Sequence, residues 1–375
     1  MKIMYIGVYP LWYEKAGGGA EDIQKFAELM TKKGHEVHLG NSVFKGKNME
    51  INYHKLNYVR IPFKNILLYP RPAELEMLIS KMKPDIIHHF IKYGFSTEQL
   101  RKKRKIKVPT INSVISLTTP QVGHSCLGLL IRGKLISFLS SLCEIYSLKN
   151  ADRVIATTYA LAKAISRESK IPLDKISIIP RGIDIDKFKR QSWSRVERNL
   201  ILFAGRLEET KGVEYIIKSM KYILREVPDA KLTIAGDGQK KEEFKKLAEE
   251  IAPKKVEFLG KVPHDEMSEW YARCNVFVMH SRFEGFGAVT VEAMASARPV
   301  VASRTGGSID IVKNNETGIL VKFGDVKGIA DAIVKILKDE ELAKRMGERG
   351  RKRVEREYSW EKVIESVEKL YRELL

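Results

Sequence analysis

The chain has 375 residues, 44% of them hydrophobic and 30% charged, and its 66 Lys and Arg against 47 Asp and Glu give a formal net charge of +19. That length predicts two domains rather than one core, the composition is that of an ordinary soluble globular protein, and the absence of any uncharged apolar run of ~18 residues excludes a spanning helix. Cys126, Cys143 and Cys274 form no CxxC pair and are odd in number, which argues for reduced thiols in a cytoplasmic protein and against a disulfide framework.

In chain order, MKIMYIGVYP reads as a first buried strand, Ile3–Val8, because its apolar part is too short for a signal peptide and no small-residue cleavage site follows. A glycine turn at Gly17-Gly18-Gly19, an amphipathic helix over Glu21–Lys33 stopped by Gly34, and a strand from Glu36 follow. Further strands are expected at Asp85–Phe90, Thr110–Val114, Arg153–Thr157 and Lys175–Ile179. From Leu200 the alternation is regular. Strands at Leu200–Gly205, Lys231–Gly236, Val256–Gly260, Asn275–His280 and Pro299–Ser303 are separated by helices at Val213–Val227, Gln239–Glu250, His264–Cys274 and Ala288–Ala297. These strands are continuous apolar runs, as expected for a parallel sheet covered on both faces. The expected fold is therefore α/β: two doubly wound, Rossmann-like domains over residues 1–190 and 191–358, joined near Gly182–Arg198, with a helical tail, 359–375, crossing back to the first. Charge divides unevenly between the halves. Residues 1–196 hold 33 Lys and Arg against 16 Asp and Glu, and residues 197–375 hold 33 against 31. An anionic partner is expected at the first half.

The segment SRFEGFGAVTVEAM places Glu284 and Glu292 eight positions apart. At 100° per residue that is ~80° off a common helix face. Glu284 thus belongs to a loop after the strand, and Glu292 to the following apolar helix, where a lone carboxylate needs a partner. Two candidates are paired sugar hydroxyls and a Lys or Arg. Gly285 and Gly287 fall at that helix's N-terminus, where backbone N–H groups bind anions. Arg206 and Lys211, in GRLEETKG, follow another strand directly and suit a diphosphate at the same sheet edge.

The order of Gly205-Arg206, Lys211-Gly212, GDG at Gly236–Gly238, FLGKV at Phe258–Val262, SRFEGFG-x4-E and Gly306-Gly307 resembles the family-4 (group 1) retaining glycosyltransferases of the GT-B fold. GGAE at Gly18–Glu21, GHEV at Gly34–Val37, PDIIH at Pro84–His88 and IIPRGID at Ile178–Asp184 extend the resemblance over essentially the whole chain. It implies that Arg206 and Lys211 hold the donor diphosphate and stabilise the leaving nucleotide, and that Glu284 meets donor-sugar hydroxyls near the reacting carbon. It further implies that Glu292 binds the ribose and that Phe286, Gly287 and Ala288 offer backbone contacts. Gly236, Gly260 and Val262 would line the base pocket, and Gly18 and Gly19 would approach the reaction centre from the other domain. A nucleotide-diphosphate sugar, with UDP the favoured nucleotide, is the implied co-substrate, and no cofactor is expected.

The chain departs from that pattern at PTINS, where many relatives carry a His and Asn112 stands here; His124 is the candidate replacement. Asp184-Ile185-Asp186 imitates a metal-binding D-x-D but sits far from the donor motifs, so a turn role and no metal are expected. The cluster RKKRKIK at Arg101–Lys107 and the apolar Leu127–Cys143 segment lead to the expectation of a lipid-linked or anionic hydroxyl acceptor. With it comes peripheral contact with the inner membrane surface. Rival readings are a nucleotide-sugar epimerase or glycan phosphorylase of the same architecture, a two-lobed sugar receptor, and a nucleic-acid-binding protein. Nucleic acid is disfavoured because the cationic clusters lack interleaved aromatics.

Overall fold

The computed structural model describes residues 1–7, 19–41, 50–61, 66–114, 135–189 and 193–375. The chain forms two compact units, Met1–Pro180 with Ile364–Leu375, and Arg181–Val363.

The first unit contains strands β1 (Lys2–Ile6), β2 (Glu36–Asn41), β3 (Asn52–Lys55), β4 (Tyr58–Ile61), β5 (Ile66–Pro70), β6 (Ile86–Phe90), β7 (Thr110–Val114), β8 (Arg153–Ala156) and β9 (Ile176–Ile178). Its helices are α1 (Gly19–Lys32), α2 (Pro72–Met82), α3 (Phe95–Lys102), α4 (Leu135–Asn150) and α5 (Tyr159–Ser169). Seven strands form a sheet in the order β3-β2-β1-β6-β7-β8-β9, and β4 and β5 make a separate antiparallel pair. All residues of β6 and β7 are buried, the polar ones among them included, as expected for central strands of a parallel sheet. Pro72 opens α2 at a position where its missing N–H costs nothing. Lys83 and Lys170 end α2 and α5 in the left-handed conformation.

The second unit contains strands β10 (Leu200–Ala204), β11 (Lys231–Ala235), β12 (Val256–Gly260), β13 (Val276–Met279), β14 (Val300–Ser303) and β15 (Gly318–Val321). Its helices are α6 (Val213–Glu226), α7 (Lys241–Ile251), α8 (Met267–Arg273), α9 (Ala288–Ala295), α10 (Ser308–Ile311), α11 (Val326–Lys338) and α12 (Glu340–Glu357). The last helix, α13 (Trp360–Leu374), belongs to the first unit from Ile364 onward. The sheet order is β12-β11-β10-β13-β14-β15. Strand order therefore reverses between β10 and β13, and the loops leaving those two strands diverge over a crevice at their carboxyl ends.

The units meet in sequence at Pro180 and Arg181 rather than at residue 190. The reason is packing: Ile183 and Phe188 are buried in the second unit's core, and the Ile183 N–H donates to the Tyr358 carbonyl at 2.8 Å. With this division the first unit carries 30 Lys and Arg against 17 Asp and Glu, and the second 36 against 30. In the first unit the strands of the main sheet are parallel, so every loop entering a strand lies at one edge. Lys33, Lys83, Lys103, Arg104, Lys105, Lys107 and Lys170, all exposed, lie in those entering loops or at the helix ends that feed them. Helix C-termini at this edge favour cations, but each offers only a fraction of a charge. Their dipoles account for part of the row.

Candidate active site

The second unit's crevice brings Lys211 and Glu284 together. Lys211 Nζ donates to Glu284 Oε2 at 2.6 Å, and Ser281 Oγ donates to the same oxygen at 3.3 Å. The pair is mostly shielded, at 14% and 18% side-chain exposure, so its attraction is screened less than that of a surface pair. Its position follows from the backbone. The Arg282 N–H donates to the Thr210 carbonyl at 2.9 Å, tying the loop after β13 to the loop after β10. Gly212, at φ +62°, packs so closely on the His280 carbonyl that a Cβ would overlap it. From β14 the Ser303 and Thr305 hydroxyls both donate to the Ser281 carbonyl, at 2.6 and 2.7 Å, and the Gly307 N–H donates to the Glu284 carbonyl at 2.6 Å. A Cβ on Gly306 would strike that carbonyl, which gives the Gly306-Gly307 pair its role as a brace under Glu284.

Gly287, at φ +80°, turns the chain into α9; the Thr290 N–H already donates to the Gly287 carbonyl at 2.9 Å, and the Ala288 and Val289 N–H groups ahead of it have no intrahelical acceptor. Three neighbouring strand ends are also glycine. Gly205 N–H donates to the Ala235 carbonyl at 3.0 Å, and Gly236 N–H to the Gly260 carbonyl at 2.7 Å. Gly236 lies against the Gly205 carbonyl with no space for a Cβ. The edge beside the Lys211–Glu284 pair is therefore a floor of bare backbone, accessible to a flat or anionic ligand. Val262 packs partly buried on the core beyond it, as does Ala288 at the head of α9.

Glu292, 5% exposed, has found partners other than a Lys or Arg. His264 Nε2 lies 3.0 Å from Oε1, and Tyr271 donates its hydroxyl to Oε2 at 3.0 Å. Lys187 Nζ approaches His264 Nδ1 at 3.0 Å and donates to Asp265 at 2.6 Å. Burial, then the Glu292 charge, pushes the Tyr271 hydroxyl well above its usual range, so it stays a donor. His264 was expected to start a helix, but α8 begins at Met267, which leaves His264 in the preceding turn. The sequence signal was the carboxylate itself: Glu292 in an apolar helix demanded donors, although nothing in the spacing named Tyr271 or His264.

Other expected site residues fall elsewhere. Arg206 is exposed and pairs with Glu208 at 2.8 Å, apart from the Lys211–Glu284 pair. The Phe286 ring is buried edge-to-face on Tyr358, leaving only its backbone for a ligand. Asn112 is a correction: it is fully buried in β7 and donates to Ser147 Oγ at 2.6 Å, so its side chain is a core group rather than a substrate contact. Arg101 is also turned inward, bonding Glu98, Thr110 and Asp152, so it leaves the basic cluster to its neighbours. Asp184 Oδ1 accepts the N–H groups of Asp186 and Lys187, as a turn cap does. His280 is fully buried and accepts from the Gly324 N–H at 2.8 Å, and burial pushes its pKa down to about 4. Gly19 begins α1, whereas Gly18, His124 and the Leu127–Lys134 part of the apolar segment lie outside the described residues.

Comparison with known proteins agrees with this architecture. The family described as Glycosyltransferase Family 4 matches residues 16–187, and Glycosyl transferases group 1 matches residues 184–353. The chain belongs to this family of GT-B glycosyltransferases. A capsular polysaccharide biosynthesis glycosyltransferase of Staphylococcus aureus, CapM, is 30% identical over 93% of this chain and 92% of its own. Among solved structures, sucrose-phosphate synthase from Thermosynechococcus elongatus superposes with a TM-score of 0.81 at 24% identity, covering 100% of this chain and 99% of that one. HepE of Anabaena in complex with UDP does so with a TM-score of 0.79 at 17% identity, covering 100% of both chains. These two likenesses speak for the fold.

Proposed function

We propose that this glycosyltransferase takes a hexosyl group from a nucleotide-diphosphate sugar and delivers it, with retention and without a metal, to a hydroxyl acceptor. The observation that carries the reading is the Lys211–Glu284 pair, at 2.6 Å and braced from three loops, beside the glycine-led start of α9 at the sheet's switch point. The diphosphate takes Lys211 and the free amides of α9, with Arg206 swinging in from its exposed loop. Glu284, relieved of its ion pair, accepts hydroxyls of the donor sugar, and Glu292 accepts those of the ribose. UDP is the favoured nucleotide, and HepE, of like fold, has UDP bound.

The bond from the anomeric carbon to the diphosphate oxygen breaks as the acceptor oxygen bonds to the same face of that carbon. The acceptor proton passes to the departing phosphate oxygen. Lys211, Arg206 and the helix amides hold the charge that develops there. Glu284 orients the sugar and forms no covalent bond. The acceptor is lipid-linked or anionic; the basic edge of the first unit supports the lipid-linked case, by holding the chain at an anionic bilayer. A thermal-shift screen against UDP, GDP and ADP sugars tests the donor. Release of nucleoside diphosphate together with an axial or equatorial product linkage, read by NMR, tests transfer and retention. Donor turnover without nucleotide release would favour an epimerase instead, and loss of activity in EDTA restored by Mn²⁺ would end the metal-free mechanism.

A further inference from the structure

We propose that His264 is a positioning residue of the donor site: together with Tyr271 it fixes the Glu292 carboxylate so that one free lone pair on each oxygen is offered to a vicinal diol. This rests on the reading of Glu292 as the ribose contact and adds the device that makes that contact selective.

The protonation pattern follows from hydrogen-bond inventory. An ammonium group only donates, so Lys187 Nζ at 3.0 Å makes His264 Nδ1 an acceptor. His264 Nε2 therefore carries the proton and donates it to Glu292 Oε1 at 3.0 Å. Tyr271 occupies one lone pair of Oε2 in the same way. Each carboxylate oxygen has two acceptor directions, so one remains on each. The Glu292 side chain is 6% exposed. A carboxylate that enclosed cannot rotate to meet a ligand, and its setting in the free protein decides what it can bind.

His264 is itself held from three sides. Lys187, anchored to Asp265 at 2.6 Å, takes Nδ1; Glu292 takes Nε2; and the ring rests on Phe188, with centroids 5.5 Å apart. Phe188 is 1% exposed and also meets Tyr271 edge-on at 5.8 Å. A side chain engaged at both nitrogens and backed by a buried ring is a support, not a placeholder that a ligand displaces.

The test uses the full chain and the nucleoside diphosphate, among UDP, GDP and ADP, that binds the wild type, together with its 2′-deoxy counterpart, measured by calorimetry. The wild type should prefer the ribonucleotide by about tenfold or more. His264→Ala should weaken the ribonucleotide about tenfold and leave the deoxynucleotide nearly unchanged, erasing the preference. His264→Gln, which keeps an N–H donor, should restore most of it, and Lys187→Met should lower it part way. A His264→Ala protein that keeps the wild-type preference, or binds the ribonucleotide more tightly, overturns the proposal while leaving the ribose reading intact, provided Glu292→Ala abolishes the preference. Wild-type protein with no preference, or Glu292→Ala that retains it, overturns both.

Discussion

In the first unit a set of buried polar side chains is bonded inside the sheet; in the second, two polar clusters stand at the candidate site. His88 bonds Tyr371 and Ser113 at 2.6 Å each, His89 bonds Thr97 at 2.8 Å, and Asn112 bonds Ser147 at 2.6 Å, all within the core. In the second unit Ser281, Glu284 and Lys211 form one cluster on the crevice loops, and Lys187, His264, Tyr271 and Glu292 form another. The difference separates polar groups that hold a fold from polar groups whose lone pairs and charges remain available. The largest test acts on that distinction. Lys211→Ala and Glu284→Ala should each lower kcat/KM by about 100- to 1,000-fold with little change in melting temperature. Asn112→Ala should cost about 1–3 kcal/mol of stability by orphaning Ser147, with turnover per folded molecule unchanged. Activity assays paired with urea unfolding read both outcomes, and a stable Asn112→Ala protein that is inactive would break the comparison.

Arg298 sharpens it, because it is a structural polar group in the second unit. Its guanidinium is fully buried, donates to the Tyr271 and Ala272 carbonyls at 2.9 and 2.6 Å, and lies 4.9 Å from the centre of the Trp193 ring. It thereby holds the end of α8, the helix that carries Tyr271. Arg298→Met should cost about 3 kcal/mol. Hydrogen exchange should show faster exchange in peptides of the second unit and none of the effect in β1, β6 and β7.

The division between the two roles was only partly legible in the sequence. Thr110–Val114 and Val256–Gly260 were readable to the residue although TINSV and VEFLG both carry polar residues, because Pro109 before the first and Gly260 at the end of the second punctuate the chain there. The short edge strand Gly318–Val321 (GILV) and the β4–β5 pair (YVRI and ILLYP) were not legible, because apolar runs of four residues or fewer are too short to tell a strand from a packed loop. At the site, Lys211, Glu284 and Gly287 were legible because loop residues next to strand ends share one edge whatever the packing. Asn112 was misplaced for the converse reason. Strand periodicity gives its face but not whether that face is buried, and Ser147, its partner, comes from 35 residues away. His264 and Tyr271 depended on the same kind of long-range packing.

Acid separates the units by a smaller amount. Burial pushes His88 and His89 down to about 3, and His280 in the second unit down to about 4, from an ordinary 6.5. A histidine whose folded pKa is depressed contributes its full stability above 6.5 and loses it as pH falls toward the folded value. Each contributes a loss of about 1.4 kcal/mol per pH unit in that window. His35 and His54, also in the first unit, are likewise held below 6.5, by burial first, so with four such groups against one among the described residues the first unit should weaken more steeply between pH 6 and 4. Hydrogen exchange at pH 6.5, 5.5 and 4.5, corrected for intrinsic rates, measures the two slopes, and equal slopes would mean that these histidines do not set the difference.

The smallest effect is expected at the basic edge of the first unit. Lys102, Lys103, Arg104 and Lys107 are exposed and lie where the loop enters β7, the edge opposite to the one where parallel α/β sheets bind ligands. Reversing all four to Glu should change stability by no more than about 0.5 kcal/mol, because exposed charges contribute little to the fold. Turnover on a water-soluble acceptor should stay within about twofold. Co-sedimentation with vesicles containing anionic lipid at 0.1 M salt should fall by at least about tenfold, since cations near such a surface contribute ~1 kcal/mol each and act only within a Debye length. Loss of soluble-acceptor turnover in this variant would place the acceptor at the entering edge of the sheet, and the contrast between a chemical edge and a charged one would no longer hold.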